Sequence, residues 1–244
     1  RMDFMLYAMD AIVNQAAKWS HMVGGHANAG VTVRAIINRG GEQGAQHSQA
    51  LHAWFAHVPG LRVVMPATVA DARDLLIAAV LCPDPVVYID DCWLYNLEAE
   101  LPPIRELELS SITPECLRMG SDITIVAAGF STKLALEARQ ELASQNISAE
   151  VIDLRVLNPL CTDPIIQSVQ KTGRLLVVDG GWRTCGLSAE VIASVAEQVS
   201  PRVLKRPPGR VTLPDAPAPT SRLLEEIYYP SVATVVAAAR KILA

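Results

Sequence analysis

Apolar residues at Phe4, Leu6, Met9, Ile12, Val13, Ala16 and Ala17 recur at helical spacing, and the Gly24-Gly25 pair ends the helix they predict. Residues 31–37 form a β-branched run that reads as a buried strand, followed by a loop over 38–46 that contains Gly40, Gly41 and Gly44. A helix is expected over 48–57, a strand over 61–65, a helix capped by Thr68 with Asp71 in its first turn, and a strand over 85–89. From Asp90 to about Arg118 the periodicity weakens, charges mix and Pro102-Pro103 intervenes, which marks a linker. The alternation then restarts, with strands at 123–127, 150–154 and 174–178 and helices at 132–144, 164–171 and 187–199. A proline-rich extended crossover over 202–219 leads to a last helix over 231–243. Strands alternating with helices of this length predict an α/β protein with mainly parallel sheets flanked by helices. The division expected is a first domain at 1–92, a linker at 93–118 and a second domain at 119–244.

Half of the residues are hydrophobic, enough for a large core and an apolar surface to be covered by another subunit. No apolar run approaches the roughly 18 residues needed to cross a bilayer, so no membrane span is expected. A formal charge of −4 provides no basic stripe, which argues against nucleic acid as a partner. Five scattered cysteines without a CxxC pair read as reduced thiols of an intracellular protein. The chain opens inside a helical pattern at Arg1-Met2-Asp3-Phe4, so a preceding segment is expected.

The candidate chemistry gathers around Gln46-His47-Ser48-Gln49, where a histidine follows a glycine-rich loop at the mouth of a helix. In an α/β protein such a loop lies beyond the carboxyl ends of the strands, where ligands bind. His47, His52 and His57 are five residues apart and so about 140° apart around a helix, which rules out one metal-binding face. His47 is the functional candidate; His52 and His57 read as structural, and His21 and His26 as surface or packing residues. The Gly40-Gly41-Gly44 loop lacks the lysine and hydroxyl of a phosphate-binding loop and reads as a flexible turn. Asp179-Gly180-Gly181 would either approach a ligand or turn the chain. The carboxylate pairs Asp90-Asp91 and Glu225-Glu226 read as solvated faces. No serine-nucleophile signature is present.

One resemblance extends this reading. His47-Ser48-Gln49 followed by Pro59-Gly60-Leu61-Arg62-Val63-Val64-Met65-Pro66 is similar to the β subunit of the E1 component of thiamine-diphosphate-dependent 2-oxoacid dehydrogenases. The likeness continues through Asn14 with Ala16-Ala17-Lys18, Pro83-Asp84-Pro85-Val86, Val151-Ile152-Asp153-Leu154-Arg155, Lys171-Thr172-Gly173-Arg174 and Tyr229-Pro230-Ser231. It implies part of a transketolase-like pyrimidine-binding domain joined to a transketolase C-terminal domain. It also implies an α2β2 assembly with an α subunit and a second β subunit, in which thiamine diphosphate is shared with α and Mg2+ is held by α. Phe4 matches the aromatic residue that stacks on the aminopyrimidine, and His47 the active-site histidine beside the thiazolium. Val31, Ala79, Cys82 and Asp84 match positions that hold a monovalent cation such as K+, mostly through carbonyls. Asp215 matches a β-subunit residue near the contact with the E2 acyltransferase, whose lipoyl domain receives the acyl group. The compartment implied is the cytoplasm for a bacterial source and the mitochondrial matrix for a eukaryotic one.

Two features depart from that pattern. The glutamate that activates the cofactor in this family falls before the equivalent of Arg1, with the first strand and helix of the pyrimidine domain. The stretch Ala35-Ile36-Ile37-Asn38-Arg39 is more apolar than usual. Two rivals therefore remain: another enzyme of the same superfamily, such as transketolase or deoxyxylulose-phosphate synthase, and a non-catalytic assembly subunit.

Overall fold

The computed structural model describes residues 1–244, and it opens on one continuous helical run. α1 (Met2–Met5), a 3-10 turn (Leu6–Ala8), a π-helical stretch (Asp10–Ala16) and α2 (Ala17–Met22) follow in succession, and Gly24 and Gly25, both at positive φ, end the run. The first sheet is then built from β1 (Thr32–Ile37), α3 (His52–Ala56), β2 (Arg62–Val64), α4 (Val69–Leu81) and β3 (Val86–Asp91). The Thr68 side chain accepts from Asp71 N and caps α4, as the sequence predicts. The second half runs β4 (Glu115–Arg118), β5 (Ile123–Ala127), α5 (Phe130–Ala143), β6 (Ala149–Asp153), β7 (Val156–Asn158), α6 (Asp163–Thr172), β8 (Leu175–Trp182), α7 (Leu187–Gln198), β9 (Gly209–Leu213), α8 (Arg222–Tyr228) and α9 (Val232–Leu243).

The first sheet has the order β1-β3-β2-β7 and the second β4-β6-β5-β8-β9. Pairing is parallel except where β7 joins β2 and β4 joins β6. Every residue of β5 and β6 is buried, as expected for parallel strands covered by helices on both faces. Four elements were not legible in the hydrophobic pattern. β4 lies within the stretch read as linker, β9 within the proline-rich crossover, and β7 and α8 are too short to show a period. The helix expected over 48–57 is confined to His52–Ala56, because residues 48–51 are bonded sideways instead of along a helix.

The halves are tied together through their interior. One apolar cluster runs from Ile37, Phe55 and Val63 in the first half to Val126, Ile152, Val177 and Val191 in the second. β7, supplied by the second half, pairs Val64 with Val156 and so completes the first sheet. The linker is bolted down by charge. On α4, buried Asp71 accepts from Arg105 at 2.6 Å and from Arg155 at 2.8 Å, and buried Asp74 accepts from Arg73 and Arg105, each at 2.7 Å. Arg73 also donates to the carbonyls of Pro102 and Pro103. Breaking one side of such a buried network strands a charge, so it fixes the path of the chain more than it adds net stability.

Candidate active site

Leaving β1, the chain enters the loop that carries His47, beyond the carboxyl end of the strand. Gly44 stands at φ +71°, and a Cβ there would lie 2.6 Å from Thr220 Cγ2, so the close approach of the second half demands glycine at this point. A 3-10 turn at Ala45–His47 then presents His47 half-buried. Its ring meets that of Phe4 edge to face, with centroids 5.2 Å apart and planes at 66°. Phe4 keeps 51% of its surface exposed, so part of its ring stays accessible beside the imidazole.

The first helical turn holds the far side of the loop. Asp3 Oδ1 accepts from Gln49 N at 3.0 Å, and Leu51 N donates to Met2 Sδ at 3.2 Å. Two buried polar atoms on the residues next to the ring pair in sequence, Asp3 Oδ2 and Ser48 Oγ, lack a partner. A partly accessible aromatic ring with unsatisfied polar atoms on neighbouring residues fits a flat heterocycle that stacks on one side and hydrogen-bonds at its edge. An aminopyrimidine is such a group.

Arg39 and His52, which bracket this loop, are both buried. Arg39 donates from Nε to Asp91 Oδ2 at 3.0 Å and from Nη1 to the carbonyl of Gly180 at 2.9 Å. His52 Nε2 lies 2.9 Å from Asp179 Oδ1, while its Nδ1 has no partner. Asp179 also accepts from the amides of Gly181 and Ser188, the latter in the first turn of α7. Burial pushes its carboxyl upward, but the charge and hydrogen bond of His52 and the two amides outweigh it and hold the pKa at about 2.

Two sequence expectations are corrected here. Asp90 and Asp91 are not a solvated face: Asp91 is buried against Arg39, and Asp90 pairs with Arg34. Burial raises the Asp90 carboxyl, with Arg34 opposing it. Glu225 is likewise buried and accepts from Glu42 N at 3.0 Å, whereas Glu226 is exposed. Among the histidines, His52 has the structural role read from the sequence, His57 is exposed, and His21 and His26 are surface residues. Sequence reasoning missed Arg39, His52 and Asp179 as neighbours of the site; Asp179-Gly180-Gly181 was the only signal, and its glycines make room for those side chains.

The segments bearing Val31, Ala79, Cys82 and Asp84 converge where α4 ends and β1 begins. The Val31 carbonyl accepts from Val86 N, and the Ala79 carbonyl from Thr32 Oγ1 and Cys82 N. The Asp84 carboxylate is taken by Arg62 at 2.6 Å. No cluster of His, Cys, Asp and Glu side chains is arranged to hold a metal, so a cation at this turn would be bound by carbonyls. Asp215 is exposed and accepts from Thr184 N at 3.2 Å and Thr184 Oγ1 at 2.7 Å, bonds that lower its pKa.

The transketolase pyrimidine-binding domain matches residues 2–90 and the transketolase C-terminal domain residues 114–235. The β subunit of acetoin:2,6-dichlorophenolindophenol oxidoreductase from Cupriavidus necator is 42% identical, covering 98% of this chain and 70% of that protein. The mitochondrial pyruvate dehydrogenase E1 component subunit beta-1 of Arabidopsis thaliana is 40% identical, covering 98% of this chain and 66% of that protein. The chain spans between 52% and 73% of the length of such curated relatives. Among solved structures, a split-gene transketolase described as an inactive β4 tetramer superposes with a TM-score of 0.74 at 25% identity, covering 87% of this chain and 67% of that one. The two transketolase domains in this order, with β-subunit relatives along nearly the whole chain, show that it belongs to the thiamine-diphosphate-dependent transketolase-like family, in the branch of E1-type β subunits.

Proposed function

We propose that this chain is the β subunit of an E1-type 2-oxoacid dehydrogenase, which decarboxylates a 2-oxoacid oxidatively and passes the acyl group to a lipoyl group on E2. The observation that carries this reading is the open ring of Phe4 set edge-on to His47 at 5.2 Å. Thiamine diphosphate, when bound, supplies a carbon nucleophile and an electron sink. Phe4 stacks on the aminopyrimidine and holds its plane. His47, half-buried beside Phe4, would hold a proton at a ring nitrogen and exchange it during acyl transfer. Gly44 and the Met2–Asp3 turn keep that imidazole in place.

The diphosphate and its Mg2+ belong to the α subunit in this reading, and the turn at Val31, Ala79, Cys82 and Asp84 binds K+ through its carbonyls. The assembly is α2β2, with the E2 subunit docking near Asp215 and its lipoyl domain entering at His47. The compartment is the bacterial cytoplasm or, in a eukaryote, the mitochondrial matrix; no helix of the structure is long and apolar enough to cross a membrane. A second substrate, acetoin, is favoured by the 42% identity to an acetoin oxidoreductase β subunit.

The test is reconstitution with the α subunit followed by assays on pyruvate, branched-chain 2-oxoacids, 2-oxoglutarate and acetoin. His47→Ala should reduce lipoamide acylation by roughly 10²–10⁴-fold while cofactor affinity holds. Phe4→Ala should do the reverse, weakening thiamine diphosphate binding by about 1–3 kcal/mol, the usual worth of an aromatic stack on a base. Normal acylation by His47→Ala would refute its role.

A further inference from the structure

The loop between Arg39 and His52 returns to its own starting point. Arg39 Nη1 donates to the Gly180 carbonyl at 2.9 Å, and His52 Nε2 sits 2.9 Å from the Asp179 carboxylate. Both stems of the loop therefore end on two consecutive residues of β8, in the other half of the chain. The glycines of this segment have a steric reason: a Cβ on Gly180 would lie 2.4 Å from both terminal nitrogens of Arg39, and one on Gly181 3.0 Å from His52 Cε1. Between the stems, Glu225 takes the amide of Glu42, and Thr220 fits against Gly44. A compact loop whose ends are held together is the Ω-loop geometry, in which the tip is placed by the stems.

We infer that Asp179-Gly180-Gly181 is the platform that positions the His47 loop, with His52 and Arg39 as positioning residues that act on the reaction only through the placement of His47. In this reading the segment is a seat for two side chains. The pair has few other polar contacts. Asp179 carries the Gly181 and Ser188 amides besides His52, and Arg39 carries Asp91 besides Gly180. His52 has no other polar partner, so its only polar tether is Asp179. Cutting that tether loosens the exit stem, while Met2 and Asp3 still hold residues 49 and 51 and keep the loop from unfolding. The expected result is a displaced imidazole on a folded protein.

This inference rests on the role given to His47 above, and its test separates the two. In the complex reconstituted with the α subunit, His52→Ala should lower kcat for lipoamide acylation by about 10–100-fold, the scale of a misplacement near 1 Å. KM and thiamine diphosphate affinity should change by less than about threefold. His52→Gln, which returns an N–H close to the place of Nε2, should recover most of the rate. In a His47→Ala background, His52→Ala should cost less than about threefold more, because residues acting through one group are not additive. Hydrogen exchange of the amides at 44–51 should accelerate in His52→Ala, and also in Gly180→Ala, which disturbs the Arg39 stem instead. Unchanged exchange in both variants, or a full additional loss in the double variant, would overturn the platform. Normal acylation by His47→Ala alone would instead remove the catalytic reading, and the exchange measurement would still decide whether the stems hold the loop.

Discussion

Asp153 makes the stability of the structure depend on pH, although no part of it touches solvent. It ends β6, where Oδ1 accepts from Thr132 Oγ1 at 3.0 Å and Oδ2 has no partner at all. Burial raises its pKa to about 7 from an ordinary 3.8; the nearby Asp71 carboxylate adds to the rise, while Thr132 and Arg155 oppose it. A folded-state pKa above the unfolded value means that the group's contribution is fully present below about 3.8 and is lost as pH rises through about 7. The difference is about 3 units, and at about 1.36 kcal/mol per unit the loss approaches about 4 kcal/mol. Roughly half of that has gone by pH 5.5, so about 2 kcal/mol remains to be lost between pH 5.5 and pH 8. Asp153→Asn places a permanently neutral group of the same shape there. Its stability relative to the parent protein should therefore improve by about 2 kcal/mol on going from pH 5.5 to pH 8, read from urea unfolding midpoints with unchanged slopes. A difference between the two proteins that stays within about 0.5 kcal/mol over this range would mean that Asp153 is ionised throughout, and the argument from burial would fail.

Two further outcomes follow from named contacts. Gly60 stands at φ +94° with the position of a Cβ 1.9 Å from the Ala17 carbonyl oxygen, so Gly60→Ala combines backbone strain with a clash against immovable backbone; a loss above about 2 kcal/mol in urea unfolding is expected, and a loss below about 0.5 kcal/mol would show that α2 can move aside. Asp215→Lys removes the acceptor of Thr184 and reverses a charge at the proposed E2 contact, so capture of the E2 subunit-binding domain in surface plasmon resonance should weaken at least tenfold, roughly 1.4 kcal/mol; unchanged capture would take Asp215 out of that interface.

The hydrophobic pattern carried the central strands and the long helices because these obey a single period over many residues. β5 and β6 are mostly apolar and buried throughout, and α5 and α9 are long, so propensity and burial agree. The edges were not legible. β4, β7 and β9 are short, and each owes its strand conformation to a partner distant in sequence, which no local window contains. The site divides in the same way. His47 and Phe4 were found through a resemblance that spans the chain, and the structure brings them together across 43 residues of sequence, from position 4 to position 47. The charges that support them were misread, because Asp91 and Glu225 look solvated until the partners Arg39 and the Glu42 amide are known. Pairing decides whether a carboxylate can be buried, and pairing is a tertiary fact.

The same contacts explain why the site needs both halves of the chain. A strand from the second half completes the first sheet, Asp71 receives Arg155 from beyond β6, and the His47 loop is seated on β8 and α8. None of these is an apolar contact that a neighbouring side chain could replace by repacking; each is a directional bond to a specific atom. Apolar burial between the halves supplies cohesion without fixing a register, since it scales with area and not with angle. The directional bonds supply the register, and those of Arg39, Glu42 and His52 to the second half border the His47 loop. A catalytic imidazole must be held to a fraction of an ångström, whereas a core must only be filled. The buried pairs Arg39–Asp91 and His52–Asp179 at the two stems of this loop meet that requirement.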